Sequence, residues 1–120
     1  METSNTLVER RQHKRYACKH CAVTFNFKAC PIVNISMGGF AFRYTNTVDW
    51  QQDKIEGAIV FGDNIYLEDV LFYTVSDNVV QDSVHDLIEN RERGVRFGKL
   101  SSNQLANLED YISRLADNNG

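Results

Sequence analysis

Two short stretches carry side chains able to hold a ligand. Between Arg10 and His20 lie five bases, Arg10, Arg11, Lys14, Arg15 and Lys19, and no acid. Farther along runs Asn34-Ile35-Ser36-Met37-Gly38-Gly39. Asn34 and Ser36 stand two apart, so on a strand both point to one face, with Ile32 sharing that parity and Val33 and Ile35 pointing to the core. The Asn34 amide donates and accepts, and the Ser36 hydroxyl does both. Gly38 and Gly39 allow φ > 0 and close backbone approach, which would leave N–H groups free for an anion. The chemistry in view is noncovalent recognition of an anion.

Other reactive residues form weaker patterns. Cys18-Lys19-His20-Cys21 is a CxxC, with Cys30, His13 and His20 near in sequence. Zinc sites built this way show two paired knuckles, and here there is one. Strand parity is expected to keep Cys18 and Cys21 on opposite faces. Buried, reduced thiols are the expected state, and no metal or other cofactor is assigned. A redox CxxC would precede a βαβ pattern, which is absent. A hydrolase needs a nucleophile, a base and an orienting acid in register. His13, His20 and His85 have no such partners by motif, so no catalytic residue is assigned and the protein is read as a non-enzyme. His85 is expected on the surface, and Trp50 in the core or anchoring a turn.

The elements that must position these residues can be read from hydrophobic period. Val23, Phe25 and Phe27 alternate with polar residues, giving a first strand with one buried face. Pro31 marks the entry to a second strand, Ile32–Ser36, since proline is tolerated at a strand's first residue. Met37-Gly38-Gly39 is a turn, and 39–44 is a third strand. Ile55–Phe61 and Ile65–Val75 flank Gly62-Asp63-Asn64, a hairpin turn. Asp77–Asn90 fits neither strand nor helix period cleanly. Arg91–Leu100 reads as one more strand. Ser101 and Gln104 can form a capping box, after which Leu105, Leu108, Ile112 and Leu115 recur on one helical face. Short strands followed by one amphipathic helix predict a mainly β domain, a small antiparallel barrel or sandwich capped by a helix.

Composition narrows the function. A chain of 120 residues supports one core. Its 42% hydrophobic and 24% charged residues exclude wholesale disorder. The net charge of -3 argues against a general duplex-DNA binder. Between Thr45 and Asn90 lie ten acids and one base, Lys54, so the basic leader is a local anion site on an acidic body. No apolar run approaches the roughly 18 residues that span a bilayer. METSNTLVERR has no apolar stretch ahead of its charges, which predicts a cytoplasmic protein without membrane insertion.

Together the two stretches resemble the PilZ domain, the bacterial receptor module for cyclic di-GMP. Its signature is Arg-x-x-x-Arg followed by Asp/Asn-x-Ser-x-x-Gly. Arg11 and Arg15 match the first half, and Asn34, Ser36 and Gly39 match the second. Arg93-Gly94-Val95-Arg96-Phe97 and the helix after it look like the family's last strand and C-terminal helix. The likeness covers 9–117. It implies a six-stranded antiparallel β-barrel with a C-terminal α-helix: a flexible tail over 1–9, then a PilZ domain over 10–117, divided into a ligand-binding arm (10–16), a barrel (17–100) and a helix (101–117). It also implies that Arg10, Arg11, Arg15, Asn34, Ser36, Gly38 and Gly39 contact cyclic di-GMP. Arg11 and Arg15 would clamp guanine and phosphate, since a guanidinium pairs bidentately with guanine O6 and N7. Asn34 and Ser36 would read the other guanine edge. Arg10 would stack on a second ligand molecule or simply stay solvated. Ligand would order the arm over the barrel and present a new surface to a downstream protein partner governing motility, biofilm or polysaccharide output. Two other readings share the β-rich body. A nucleic-acid-binding barrel needs an exposed aromatic groove, whereas Phe25, Phe27, Phe40 and Phe42 have the parity of core residues. A ligand-free PilZ-like adaptor has less need of the intact arginine, asparagine, serine and glycine set.

Overall fold

The computed structural model describes residues 13–45, 52–82 and 88–119. Arg10, Arg11, Trp50 and His85 lie outside them. The strands are β1 (Tyr16–Ala17), β2 (Cys21–Phe25), β3 (Lys28–Ile35), β4 (Gly39–Thr45), β5 (Lys54–Gly62), β6 (Ile65–Asp82) and β7 (Glu89–Phe97), followed by helix α1 (Ser102–Asn119). All pairings are antiparallel. The order β3-β2-β5-β6-β7-β4 closes on itself through a β3–β4 pairing. The predicted barrel of six strands is therefore present, and β1 is a two-residue addition on β3.

Alternating apolar residues turn inward and fill the ring. Phe42 and Phe72 are fully buried, along with Val23, Ile35, Val60, Leu67 and Val70. Phe25 meets Phe42 and Phe72 edge-on, with centroids 5.7 and 5.5 Å apart, and Phe40 meets Phe72 at 5.3 Å. Edge-to-face rings add to the stability gained from burial alone. Phe25, Phe40 and Phe42 are core residues, as their parity predicted, and none of them offers a stacking surface for nucleic acid.

Several expectations based on parity fail, each at a break in the alternation. Phe27 is fully exposed. It follows Asn26 in the β2–β3 turn, where both residues have positive φ (63° and 51°), as a two-residue type I′ hairpin requires. Pro31 lies inside β3, opposite Ala22, and does not start the strand. The two-residue loop makes Phe25–Lys28 a hydrogen-bonded pair. Alternation then makes Ala22–Pro31 a non-bonded one, so the missing N–H faces away from β2. The β3–β4 register shifts between Ile32 and Asn34. This bulge resets the inward face, so Ile32 and Ile35 are both buried while Val33 is half-buried. Of the ambiguous Asp77–Asn90 segment, residues 77–82 and 89–90 extend β6 and β7, which stay paired as far as Asp82–Glu89.

Helix α1 starts as the capping box predicts. The Gln104 N–H donates to Ser101 Oγ at 3.1 Å, and the Ser101 N–H donates to Gln104 Oε1 at 2.7 Å. Gln104 Nε2 also donates to the Glu68 and Asp69 carbonyls, which ties the helix start to a bulge in β6. The helix lies against β6 and β1. Leu108 and Tyr111 are buried and Ile112 and Leu115 pack against the core, so the inward stripe is the one read in the sequence except that Leu105 is exposed and Tyr111 joins it.

Candidate functional site

The β3–β4 turn is built around Ser36. The N–H groups of Gly38 and Gly39 donate to Ser36 Oγ at 3.1 and 3.2 Å. The Ser36 N–H donates to the Gly39 carbonyl at 2.8 Å, and its hydroxyl points to the same carbonyl at 3.3 Å. A serine hydroxyl satisfying turn amides is a local alternative to the sheet ladder. It corrects two expectations. The Gly38 and Gly39 amides are occupied by Ser36, not free for an anion, and Ser36 itself is buried. Neither glycine has positive φ, a state taken among the described glycines by Gly57. Space is what requires them. A Cβ at Gly39 would stand 2.0 Å from the Val95 carbonyl oxygen, and one at Gly38 would stand 2.8 Å from His13 Cδ2.

The basic leader reaches this turn through β1. Tyr16 pairs with Ile35 and Ala17 with Asn34, which carries Arg15 and His13 to the end of β3. There they line a cleft of about 290 Å³ with Ser36, Gly38, Gly39 and Arg96. Val75, Ser76, Gly94 and Val95 complete its lining, and none of the lining residues is acidic. Arg15 is exposed. Arg96 rests over the Tyr73 ring, its guanidinium carbon 4.4 Å from the centroid, held between β4 and β6 by the Gly39–Arg96 and Tyr73–Arg96 pairs. Gly94 lets β6 approach, because a Cβ there would stand 2.7 Å from Ser76 Oγ.

Of the predicted site residues, Arg15, Ser36, Gly38 and Gly39 are brought together. Asn34 is not in the cleft lining. It is half-buried on β3 beside Ala17, and its Oδ1 is buried with no hydrogen-bond partner. Arg10 and Arg11 lie outside the described residues. The sequence reading missed His13, Ser76 and Arg96. The signal for Arg96 was its place between the inward-facing Val95 and Phe97, which turns it outward. Nothing local marked Ser76, whose position depends on the register shift between Thr74 and Ser76.

Two further polar clusters lie elsewhere. Asp77 accepts from Arg91 Nε at 2.9 Å and from Arg93 Nε and Nη2 at 2.9 and 2.8 Å, and from the Tyr44 hydroxyl. Burial pushes the Asp77 carboxyl up, but the bonds from Tyr44, Arg93 and Arg91 outweigh it and hold the group below its usual range. The second cluster corrects the expectation for the CxxC. Cys18 and Cys21 do not face opposite ways: both sulfurs lie on the Tyr111 hydroxyl, at 3.1 and 2.8 Å. Cys30 is buried and free. Among the described residues no group of three or more His, Cys, Asp or Glu could hold a metal ion.

Comparison with known proteins gives the fold a name. No protein-family model matches the sequence, and no curated protein matches it. Solved structures do. MrkH of K. pneumoniae in complex with c-di-GMP superposes with a TM-score of 0.73 at 16% identity, over 89% of this chain and 52% of that one. The PilZ domain of Escherichia coli YcgR with c-di-GMP gives 0.68 at 14% identity, over 91% of this chain and 93% of that one. YcgR itself in complex with c-di-GMP gives 0.64 at 15% identity, over 91% and 47%. The chain thus spans about half the length of MrkH and YcgR and nearly all of the isolated PilZ domain. The closed barrel with its C-terminal helix is a PilZ-type fold.

Proposed function

We propose that this PilZ-type domain is a receptor for cyclic di-GMP, a non-catalytic module that regulates a downstream protein. One observation carries the reading: β1 brings Arg15 to the Ser36-Gly38-Gly39 turn, so both halves of the sequence signature border one cleft. Cyclic di-GMP is a dianion with two guanines. Arg15, with Arg11 beside it in sequence, is suited to pair with guanine O6 and N7 and to neutralise phosphate. Arg10 would add a stacking cation, and Arg96 a second one across the cleft.

The turn contributes in a different way from the arginines. Ser36 fixes the backbone, and Gly38 and Gly39 let His13 and the β7 backbone pack close to it, which shapes the wall of the cleft. Asn34 Oδ1, buried without a partner, is an acceptor for guanine N–H donors. Because Ala17 pairs with Asn34, contact there requires the arm to shift. Binding would therefore exchange one arm position for another, by no more than the ligand's preference between the two. That exchange is the means by which a partner would sense the ligand.

Calorimetric titration of the full chain with cyclic di-GMP, alongside GMP, tests the reading. Saturable heat with the cyclic dinucleotide and little with GMP is expected. Equal binding of both would reduce the site to a generic anion cleft, and no heat with either would end the proposal.

A further inference from the structure

The Cys18-Lys19-His20-Cys21 segment has a structural role that cyclic di-GMP recognition does not use. β1 and β2 run along the same edge of β3, one after the other. Ala17 faces Asn34 and Ala22 faces Pro31, so four residues on the leader side span two on β3, Val33 and Ile32. His20, at φ 60°, turns the chain within this bulge. The bulge overrides strand parity and sends both thiols to one side, beneath α1. There they meet a single phenol, Tyr111, itself buried. The Cys18 N–H still donates to the Val33 carbonyl at 3.1 Å, which makes Cys18 the last anchor between β1 and the barrel.

We propose that Cys18 and Cys21 are a redox-active dithiol, oxidised by a hydroperoxide to a disulfide, and that this oxidation loosens β1 from β3. The geometry supplies what the reaction needs. The thiols are near enough to share one hydroxyl, and with His20 and Phe61 they line an open depression through which a small peroxide can reach them. Hydrogen bonding from Cys18 favours the Cys21 thiolate and lowers its pKa, while the same contact and burial raise that of Cys18. Such a pair holds one nucleophile and one resolving thiol.

The steps balance. The Cys21 sulfur attacks one oxygen of hydrogen peroxide, the O–O bond breaks, and the departing hydroxide leaves as water with the Cys21 proton. The Cys18 sulfur then attacks the sulfenic sulfur of Cys21. The S–O bond breaks, the S–S bond forms, and hydroxide leaves as a second water with the Cys18 proton. Two thiols lose two electrons and the peroxide gains them. Drawing the sulfurs to the bond length of about 2.05 Å pulls Cys18 toward Cys21 across the bulge, against its bond to Val33. It also strips the buried Tyr111 hydroxyl of its thiol partners.

The test uses the full chain, treated with hydrogen peroxide and then mapped by proteolysis and mass spectrometry without reduction. A Cys18–Cys21 disulfide is expected, with Cys30 left as a thiol. Amide exchange of Tyr16 and Cys18, whose N–H groups face β3, should become about tenfold faster on oxidation, the effect of losing one hydrogen bond, and should recover with dithiothreitol. Cys30→Ser should behave like the parent protein, and Cys21→Ser should show no peroxide-dependent change in exchange. A bond to Cys30, oxidation only in denaturant, or a disulfide that leaves exchange at Tyr16 and Cys18 unchanged would each overturn the proposal. None of these readouts involves cyclic di-GMP, so their outcome is independent of the ligand reading.

Discussion

Arg15 and Arg93 place the same side chain in two contrasting settings. Arg93 is 5% exposed, carries Asp77 on two of its nitrogens, and lies 5.3 Å over the Tyr44 ring. Arg15 is exposed and, among the described residues, has no ion pair or hydrogen bond. In the Tyr44–Asp77–Arg91–Arg93 cluster the protein supplies counter-charges for its own arginines. In the cleft it supplies two guanidinium groups, Arg15 and Arg96, and no carboxylate. The first arrangement spends charge on holding the β6–β7 hairpin together. The second keeps charge available for something that arrives.

If that contrast is sound, mutations should separate stability from binding. The largest effect should come from Gly39→Ala. With a Cβ 2.0 Å from the Val95 oxygen, β4 and β7 must part, at a cost of about 3 kcal/mol or more, read by denaturant unfolding. Next is Asp77→Asn, which leaves Arg93 buried without its counter-charge. It should cost roughly 2–3 kcal/mol and leave affinity for cyclic di-GMP within about twofold. A large loss of affinity with unchanged stability would erase the distinction. The same aspartate predicts a pH effect. Its folded pKa lies below the ordinary carboxylate value, so its contribution is present above that ordinary value and is lost as pH falls through the folded one. The parent protein should lose stability below about pH 4, with a shallower acid limb in Asp77→Asn.

Arg15→Ala should do the reverse: it should weaken cyclic di-GMP binding by about 1–3 kcal/mol with the unfolding midpoint unmoved. Arg96→Ala, which removes a cation already resting on Tyr73, should weaken binding by about 0.5–1 kcal/mol. Calorimetry and thermal melts on the same preparations check both. An Arg15→Ala protein that binds as the parent does would deny the cleft its role.

How much of this could be read from the sequence depends on where alternation holds. Val23, Phe25, Phe40, Phe42, Val95 and Phe97 follow the two-residue period and are buried as expected. The Ser101–Gln104 cap also formed as read, because it needs only local chemistry. Errors cluster where an extra residue or a left-handed one breaks the period: Phe27 in the β2–β3 turn, Ile32 before the β3 bulge, and Cys18 and Cys21 across the His20 turn. Nothing in the types of those residues announces the break, because pairing with another strand sets it. The turn lining the candidate cleft was legible for the same reason as the cap. Ser36 and its glycines form a contiguous turn, and only a long-range register adds Ser76.

The closed ring leaves β1 in an unusual mechanical position. Every strand of the barrel has two neighbours, whereas this leader is held to β3 by the paired Tyr16 and Ala17 and by the Cys18 N–H on the Val33 carbonyl. On the proposed reading, releasing so short a ladder would leave the six strands behind it shut. A signal of that kind leaves the scaffold standing: it is a hinge pin drawn and replaced, with the frame never opened.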